Sequence, residues 1–451
     1  MTRHKRYAKV LLFIAILAGP KIVVDKNVDL SAYATWVVPP VSKAASIGPE
    51  QQQQQQQQTS PSRRDYLLLE RELRGMSIRF FVYEEPDELV QRNQLSWFRS
   101  GKHSEILRAR FGADAKAEDF VLETLSNHSL RTMNQTRADL CIVPLRVGSA
   151  IIGRNSVEMD SLRLALLNTT FRTRPHVLVS LTTVGFNQYH QANTARHGMG
   201  PAFYKDVAPL IVAQSWAAHA SANVAQQGTA KDHDYRGMFS QLDRALSTYG
   251  FSMGLLPQQS LAYRAATYER FRTAKNFVFY QTRREQSDWN STRFRQILLD
   301  PPVLNQFNGT NSSIGFGLPP EEWLREFSSS QFCLAIRGDT PHTHALLNAV
   351  KVGCIPVVVS DFYPIYAPSF PSTLDMEDYC IFIPERDFIR DPAGEVLKLL
   401  NLGEDEIRRK LEGLAFAQKV VVMDHPESLF VQAFLKESMF SYKNPPRQKR
   451  T

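Results

Sequence analysis

Between Phe332 and Asp361 the spacing of apolar residues changes period twice. A continuous apolar run, Phe332 to Ile336, stops at the polar turn Arg337-Gly338-Asp339. Thr340 then offers an N-cap, and Pro341 supplies the pre-set φ wanted at a first helical position. Ala345, Leu346 and Ala349 carry helical spacing to about Val352, Gly353 is placed to stop the helix, and Ile355 to Val359 is a second apolar, β-branched run. The pattern predicts one βαβ unit. Its strand-to-helix turn would lie at the carboxyl edge of a parallel sheet, where a helix N-terminus beside Arg337 favours an anion. The plainer reading is a structural βαβ unit in which Arg337 and Asp339 pair with each other.

The same reading elsewhere predicts strands at Ile78–Tyr83, Leu140–Val143, His176–Leu181, Leu210–Ala213, Phe277–Tyr280 and Cys380–Ile383. Helical spacing appears at Tyr66–Arg74, Ser104–Arg110, Ala117–Ser126, Asp160–Leu167, Ser260–Arg272, Arg293–Leu299, Pro319–Ser328 and Glu404–Val421. This alternation is that of an α/β protein. It divides the chain into a first Rossmann-like domain at 65–270, a second at 271–400, and a C-terminal helix with a basic tail at 401–451. Residues 214–250, rich in Ala and Gln, fit neither period. The proline-rich stretch Tyr363 to Pro371 reads as a loop near the ligand edge.

The first 64 residues read differently. Arg3, Lys5, Arg6 and Lys9 precede an uncharged run from Val10 to Gly19, after which Lys21 interrupts before Ile22, Val23 and Val24. Residues 1–24 therefore read as a cytosolic tail with a short signal anchor, or as a signal peptide. Basic residues before the segment place its start in the cytosol. Residues 25–64, with Pro39-Pro40, Gln51 to Gln58 and Thr59-Ser60-Pro61-Ser62, lack the apolar content to fold and read as a disordered stem.

Composition narrows the function. The 451 residues are 43% hydrophobic and 22% charged, which suits a large globular core. The net charge of +8 is accounted for by four basic residues before position 10 and four after 442, which leaves the body neutral. No basic face for nucleic acid is implied. Six Asn-x-Ser/Thr sequons, at Asn127, Asn134, Asn168, Asn290, Asn308 and Asn311, exceed the roughly two that chance would give. Asn308 and Asn311 lie in a Gly/Ser-rich stretch suited to a surface loop. The four cysteines, Cys141, Cys333, Cys354 and Cys380, sit in or beside apolar runs, as buried small hydrophobes do, and in an oxidising compartment Cys333 and Cys380 are one pair that could bridge. None has zinc-ligand spacing, and P-loop, GxSxG and HExxH motifs are missing.

Arg-Gly-Asp-Thr-Pro at 337–341, followed by Gly-Cys-Ile-Pro-Val-Val-Val-Ser-Asp at 353–361, resembles the signature of the exostosin family of glycosyltransferases, family 47. Fainter similarity, in the family's order, runs through Ile78–Glu84, Ala138–Pro144, Phe277–Tyr280 with Arg283 and Arg284 after it, and Tyr379–Asp387. The resemblance implies a GT-B fold, with two Rossmann-like domains facing a cleft and the signature in the nucleotide-sugar half. It further implies a Golgi membrane protein, single-pass and type II with its catalytic domain luminal, the alternative being a secreted chain. Its reaction would move a sugar from a nucleotide-diphosphate donor, UDP-linked, to a glycan acceptor without an obligatory metal. Family members often work in pairs, so a homo- or hetero-oligomer is an open expectation.

Glycosyl transfer needs a stabilised diphosphate leaving group and a base for the acceptor hydroxyl. For the first, the candidates are Arg337, with Arg283 and Arg284, and the turn and helix residues Gly338, Asp339, Thr340, His342, Thr343, His344 and Asn348. For the second they are Glu84, Glu85 and Asp361, each after a strand. His344 and Asn348 are four apart and share a helix face. Many family members carry an acid at the position of Asn348, suited to the donor ribose, and Asn there departs from the pattern. A catalytically silent luminal scaffold or lectin-like protein of the same fold is the alternative this departure leaves. Asp232-His233-Asp234 is formally a DxD but sits in a Gly/Thr/Ala/Lys stretch rather than at a strand end.

Overall fold

The computed structural model describes residues 64–84, 102–144, 174–181, 211–215, 250–282, 294–338 and 343–444. The targeting segment, the stem, the DxD-like triplet, the helix expected at Asp160–Leu167 and the sequons at Asn168 and Asn290 fall outside them. Residues 65–451 form one compact unit built on two parallel sheets.

The first sheet has the order β1 (Phe80–Val82), β2 (Leu140–Val143), β3 (His176–Ser180), β4 (Ile211–Gln214), β5 (Gly250–Ser252), all parallel. Strands β2 to β4 are buried on both faces, which is why they read as unbroken apolar runs. The two short helices expected before β2 are one helix, α2 (Lys102–Ser126), after α1 (Tyr66–Arg74). It seats Val121, Leu122 and Leu125 in the core and runs unbroken through Gly112.

The second sheet has the order β10 (Ile381–Phe382), β9 (Ile355–Val359), β8 (Ser330–Ile336), β6 (Asn276–Thr282), β7 (Ser313–Phe316), again all parallel. The chain moves outward from β6 to β7, then crosses back to build β8, β9 and β10 on the other side. That reversal makes a topological switch point between β6 and β8, the place where open parallel sheets bind ligands outside their carboxyl ends. Helices α3 (Tyr268–Arg272) and α4 (Pro320–Ser328) precede β6 and β8, and α5 (His344–Lys351) makes the crossover to β9. Gly353, at φ +67°, turns the chain out of α5 as its place in the pattern predicts.

The cysteines pair differently from the expectation. Cys333 in β8 bridges Cys354 just before the adjacent β9, with Cα atoms 5.9 Å apart. Cys380 precedes β10, separated from β8 by the whole of β9, so two strand spacings of about 4.8 Å put it beyond disulfide reach. Cys141 and Cys380 are buried free thiols.

Two helices close the structure. Helix α7 (Glu404–Val421) packs on α5 and β9 of the second sheet, where buried Gln418 donates to the carbonyls of Arg264 (2.7 Å) and Val350 (2.8 Å) and accepts the Ala266 N–H (3.0 Å). The return to the first sheet is made by the next helix, α8 (Phe430–Lys443), which lies against β4, β5 and α1. Phe434 meets Phe251 of β5 edge-on at 5.6 Å, and Phe370 sits 6.3 Å from Phe251 and 5.4 Å from Phe430. Such aromatic packing joins the halves through a dry core rather than a flexible linker.

Candidate functional site

The carboxyl ends of β8, β9 and β10 are tied together by one buried ion pair. Arg337 follows β8 and donates from Nε and Nη2 to the two carboxylate oxygens of Glu385, at 2.8 and 2.9 Å. Glu385 opens α6 (Glu385–Arg390), which follows β10. Its Oε1 also accepts the N–H of Asp361, just past β9, and its own N–H goes back to Asp361 Oδ1 at 3.0 Å. Arg337 Nη1 donates to the Gly338 carbonyl at 2.8 Å, and its guanidinium carbon lies 4.5 Å from the Phe294 ring centre. Both partners are almost wholly buried. Burial pushes the Glu385 carboxyl up to about 8. The two-pronged guanidinium pulls the other way, and its geometry is that of an ionised pair.

Arg337 therefore spends these donors inside the protein. The sequence reading aimed it at a diphosphate; the structure aims it at Glu385 and the turn that carries the signature. Arg295 reinforces that turn, donating from Nε to the Arg337 carbonyl at 3.1 Å. A Cβ at Gly338 would fall 2.0 Å from Arg295 Nη2, so a larger residue there would push the guanidinium aside.

Beyond the turn, Thr343 rather than Thr340 caps α5, its hydroxyl accepting the Ala345 N–H at 3.3 Å. Two threonines compete for the cap, and the apolar spacing that makes a helix begins only at Ala345. His344 occupies the first turn. Burial lowers its pKa, so the imidazole is neutral at pH 7, and its buried Nδ1 has no partner among the described residues. Asn348 shares that face but is committed elsewhere: its Oδ1 accepts the Gln258 N–H at 2.9 Å. Asp339, Thr340 and His342, and Arg283 and Arg284 after β6, lie outside the described residues.

At the carboxyl edge of the first sheet, Glu84 is exposed immediately after β1, and Glu85 lies outside the described residues. The strand end is braced by Tyr83, whose hydroxyl is 2.7 Å from His176 Nε2 and accepts from Gln135 Nε2 at 2.9 Å. His176 Nδ1 faces the Arg174 carbonyl at 2.9 Å, which assigns the proton to Nδ1 and leaves Nε2 to accept from tyrosine. Burial holds this imidazole below its ordinary pKa. Asp361, the third candidate base, is exposed but bonded to the Glu385 backbone.

Sequence reasoning missed Glu385, Arg295 and Phe294 as parts of this site. Glu385 lies in the stretch Tyr379–Asp387, whose resemblance marked a strand but assigned no role. Among the described residues no group of three or more His, Cys, Asp or Glu side chains is arranged to hold a metal.

Two five-stranded parallel sheets flanked by helices, with the signature turn at the switch point of the second, define an α/β fold of two Rossmann-like halves. Residues 226–399 match the Exostosin GT47 domain. Two relatives from Arabidopsis thaliana match part of the chain. Xyloglucan-specific galacturonosyltransferase 1 is 26% identical over 114 residues, covering 25% of this chain and 17% of that protein. A probable xyloglucan galactosyltransferase, GT13, is 32% identical over 92 residues, covering 20% and 19%. The match thus spans less than a fifth of either relative's length. Among solved structures, an alpha-glucosyltransferase in complex with UDP-glucose and abasic DNA aligns with 73% of this chain and 84% of its own at 12% identity and a TM-score of 0.31. Arabidopsis thaliana UGT89C1 complexed with quercetin aligns with 83% and 95% at 11% identity and a TM-score of 0.29.

Proposed function

We propose that this chain is a glycosyltransferase that moves a sugar from a UDP-linked donor to a glycan acceptor in the secretory pathway. The observation that carries the reading is a coincidence of place: the exostosin signature occupies the carboxyl edge of the second sheet at its switch point. In the reaction the bond from the sugar's anomeric carbon to the diphosphate oxygen breaks. A bond to the acceptor oxygen forms, and the acceptor's proton passes to a carboxylate. Amides of the turn and the start of α5, with Arg283 and Arg284, receive the diphosphate's charge. Arg337 acts through Glu385 as a positioning residue that fixes the turn. Neutral His344 offers a hydrogen bond to the donor. Asp361 is bonded to Glu385, which favours Glu84 or Glu85, across the cleft between the halves, as the acceptor base. The relatives' names support a hexose donor and a polysaccharide acceptor.

The Golgi lumen is the setting that suits this reading, with the N-terminal segment as a type II anchor. The bridge between Cys333 and Cys354 supports an oxidising compartment. Among the described residues no helix is long and apolar enough to cross a membrane, and the anchor segment is not among them.

A second reading, a catalytically silent luminal scaffold of the same fold, draws on Asn348, whose side chain serves Gln258 rather than a ribose. One experiment separates the two. The full chain, purified from a eukaryotic host, is tested with a panel of nucleotide sugars by thermal shift and donor hydrolysis. UDP and one UDP-sugar should raise Tm and that sugar should be released. A folded sample that responds to no nucleotide refutes the transferase reading.

A further inference from the structure

Four of the six sequons fall among the described residues, and all four asparagines are exposed. Their placement is not scattered. Asn127 and Asn134 lie on the connection from α2 into the amino end of β2, while Asn308 and Asn311 lie on the turn into the amino end of β7. In parallel sheets ligands gather at the carboxyl ends, so both sites sit at the opposite edge from the signature turn. A bulky substituent there leaves the proposed donor site open.

The four differ in which of their backbone and side-chain groups are engaged. Asn134 Oδ1 accepts both the N–H (2.9 Å) and the hydroxyl (2.7 Å) of Thr136, capping a short helical turn. Asn127 sits against the end of α2, its N–H on the Glu123 carbonyl. The carbonyl of Asn311 holds the start of β6 through the Phe277 N–H at 2.7 Å. Asn308 projects from a turn in which Gly309 has φ +88° and has nothing within 4 Å of the place its Cβ would take. The sequon's Thr310 is held in place by its hydroxyl, which donates to the Phe307 carbonyl at 2.7 Å.

From this geometry we infer that Asn308 carries an N-linked oligosaccharide. The Asn308 carboxamide nitrogen attacks the anomeric carbon of a polyprenyl-diphosphate-linked oligosaccharide held by a membrane oligosaccharyltransferase. The N–C bond forms, the C–O bond to the diphosphate breaks, the amide loses a proton, and the lipid diphosphate leaves. The glycan also has a structural use. β7 is the edge strand of its sheet, paired only with β6 among the described strands, and a glycan at its entry hinders strand addition by another chain. The inference rests on the luminal setting proposed above and not on the transfer activity.

The test uses the full chain, expressed in a eukaryotic secretory host, and peptide mapping before and after peptide N-glycosidase in heavy-oxygen water. The peptide containing position 308 should appear only after digestion, with labelled aspartate at 308, and Asn308→Gln should remove one glycan's shift on a gel. Should that variant fail to accumulate, Thr310→Ser must keep the glycan and Thr310→Val must lose it. An unmodified Asn308 peptide from molecules whose Cys333–Cys354 bridge has formed overturns the inference. Because nucleotide binding is measured separately, a glycosylated chain that binds no nucleotide refutes the transferase reading alone.

Discussion

Replacing Arg337 by methionine keeps a stem of similar length and removes the guanidinium, leaving the Glu385 carboxylate buried without its bidentate cation, though still accepting the Asp361 N–H at 3.1 Å. Breaking one side of a buried pair costs about 3–5 kcal/mol. With an unfolding entropy of about 2.1 cal/mol/K per residue over the compact unit of roughly 390 residues, that becomes a fall in Tm of about 4–6 °C. The loss must also depend on pH. Burial pushes the Glu385 carboxyl up to about 8 from an ordinary 4.5, and losing the arginine removes a charge that favours the ionised form. Stability from this group is then full below about pH 4.5 and is lost as the pH rises towards 8, at about 1.4 kcal/mol per pH unit. Differential scanning calorimetry of wild type and Arg337→Met at pH 5.5 and 8.5 measures both effects. The deficit should be larger at pH 8.5 than at pH 5.5, because the guanidinium no longer offsets the burial of the ionised carboxyl. A drop in Tm under about 1 °C, or a deficit equal at the two pH values, would refute the buried pair as the clamp on the turn. The double variant Arg337→Met, Glu385→Leu should recover most of the stability, since an apolar pair can replace a buried ionic one. It should not recover nucleotide binding.

Three further outcomes follow from the same structure. Gly254 has φ +69°, and a Cβ there would come within 2.5 Å of Ser369 Oγ and 3.0 Å of Leu347, so Gly254→Ala should destabilise by about 2 kcal/mol or more in denaturant melts; a neutral effect would show that the two halves do not meet there. Cys354→Ser opens a bridge spanning 21 residues and should cost about 3 kcal/mol, seen as an earlier urea midpoint that added reductant no longer shifts. Glu437, on α8, accepts the Ser372 N–H, and burial pushes its carboxyl up to about 7 from 4.5. Its contribution is full below about pH 4.5 and falls as the pH rises to 7, so Glu437→Gln should raise Tm at pH 8 relative to wild type and do little at pH 5, and an equal effect at both would remove the carboxyl's titration as the cause.

Much of the fold was legible where packing is local or fully buried. Tyr66–Arg74, Leu140–Val143, Ile355–Val359 and Glu404–Val421 have the limits their apolar spacing predicts. Two strands were not legible. Gly250–Ser252 is three residues long and opens on a glycine, and Ser313–Phe316 is an edge strand only half buried, so neither leaves an apolar run to read. The helix expected from Ser260 shrinks to Tyr268–Arg272 because the residues before it serve as a joint, Ala266 and Arg264 being tied to Gln418. At the site the positions of the signature residues were readable and their partners were not. Glu385 is 48 residues from Arg337, and Gln258 is 90 residues from Asn348, separations that no local pattern encodes.

The return of α8 to the first sheet has a consequence for how the chain is made. Strand β5 ends at Ser252, yet the phenylalanines that cover it, Phe430 and Phe434, belong to a helix made about 180 residues later. At about 5–20 residues per second, the first sheet waits roughly 10–40 s with one face uncovered. The sheet cannot mature before α8 is made, and a nascent chain stalled before Phe430 should be held by chaperones however long it is given to fold.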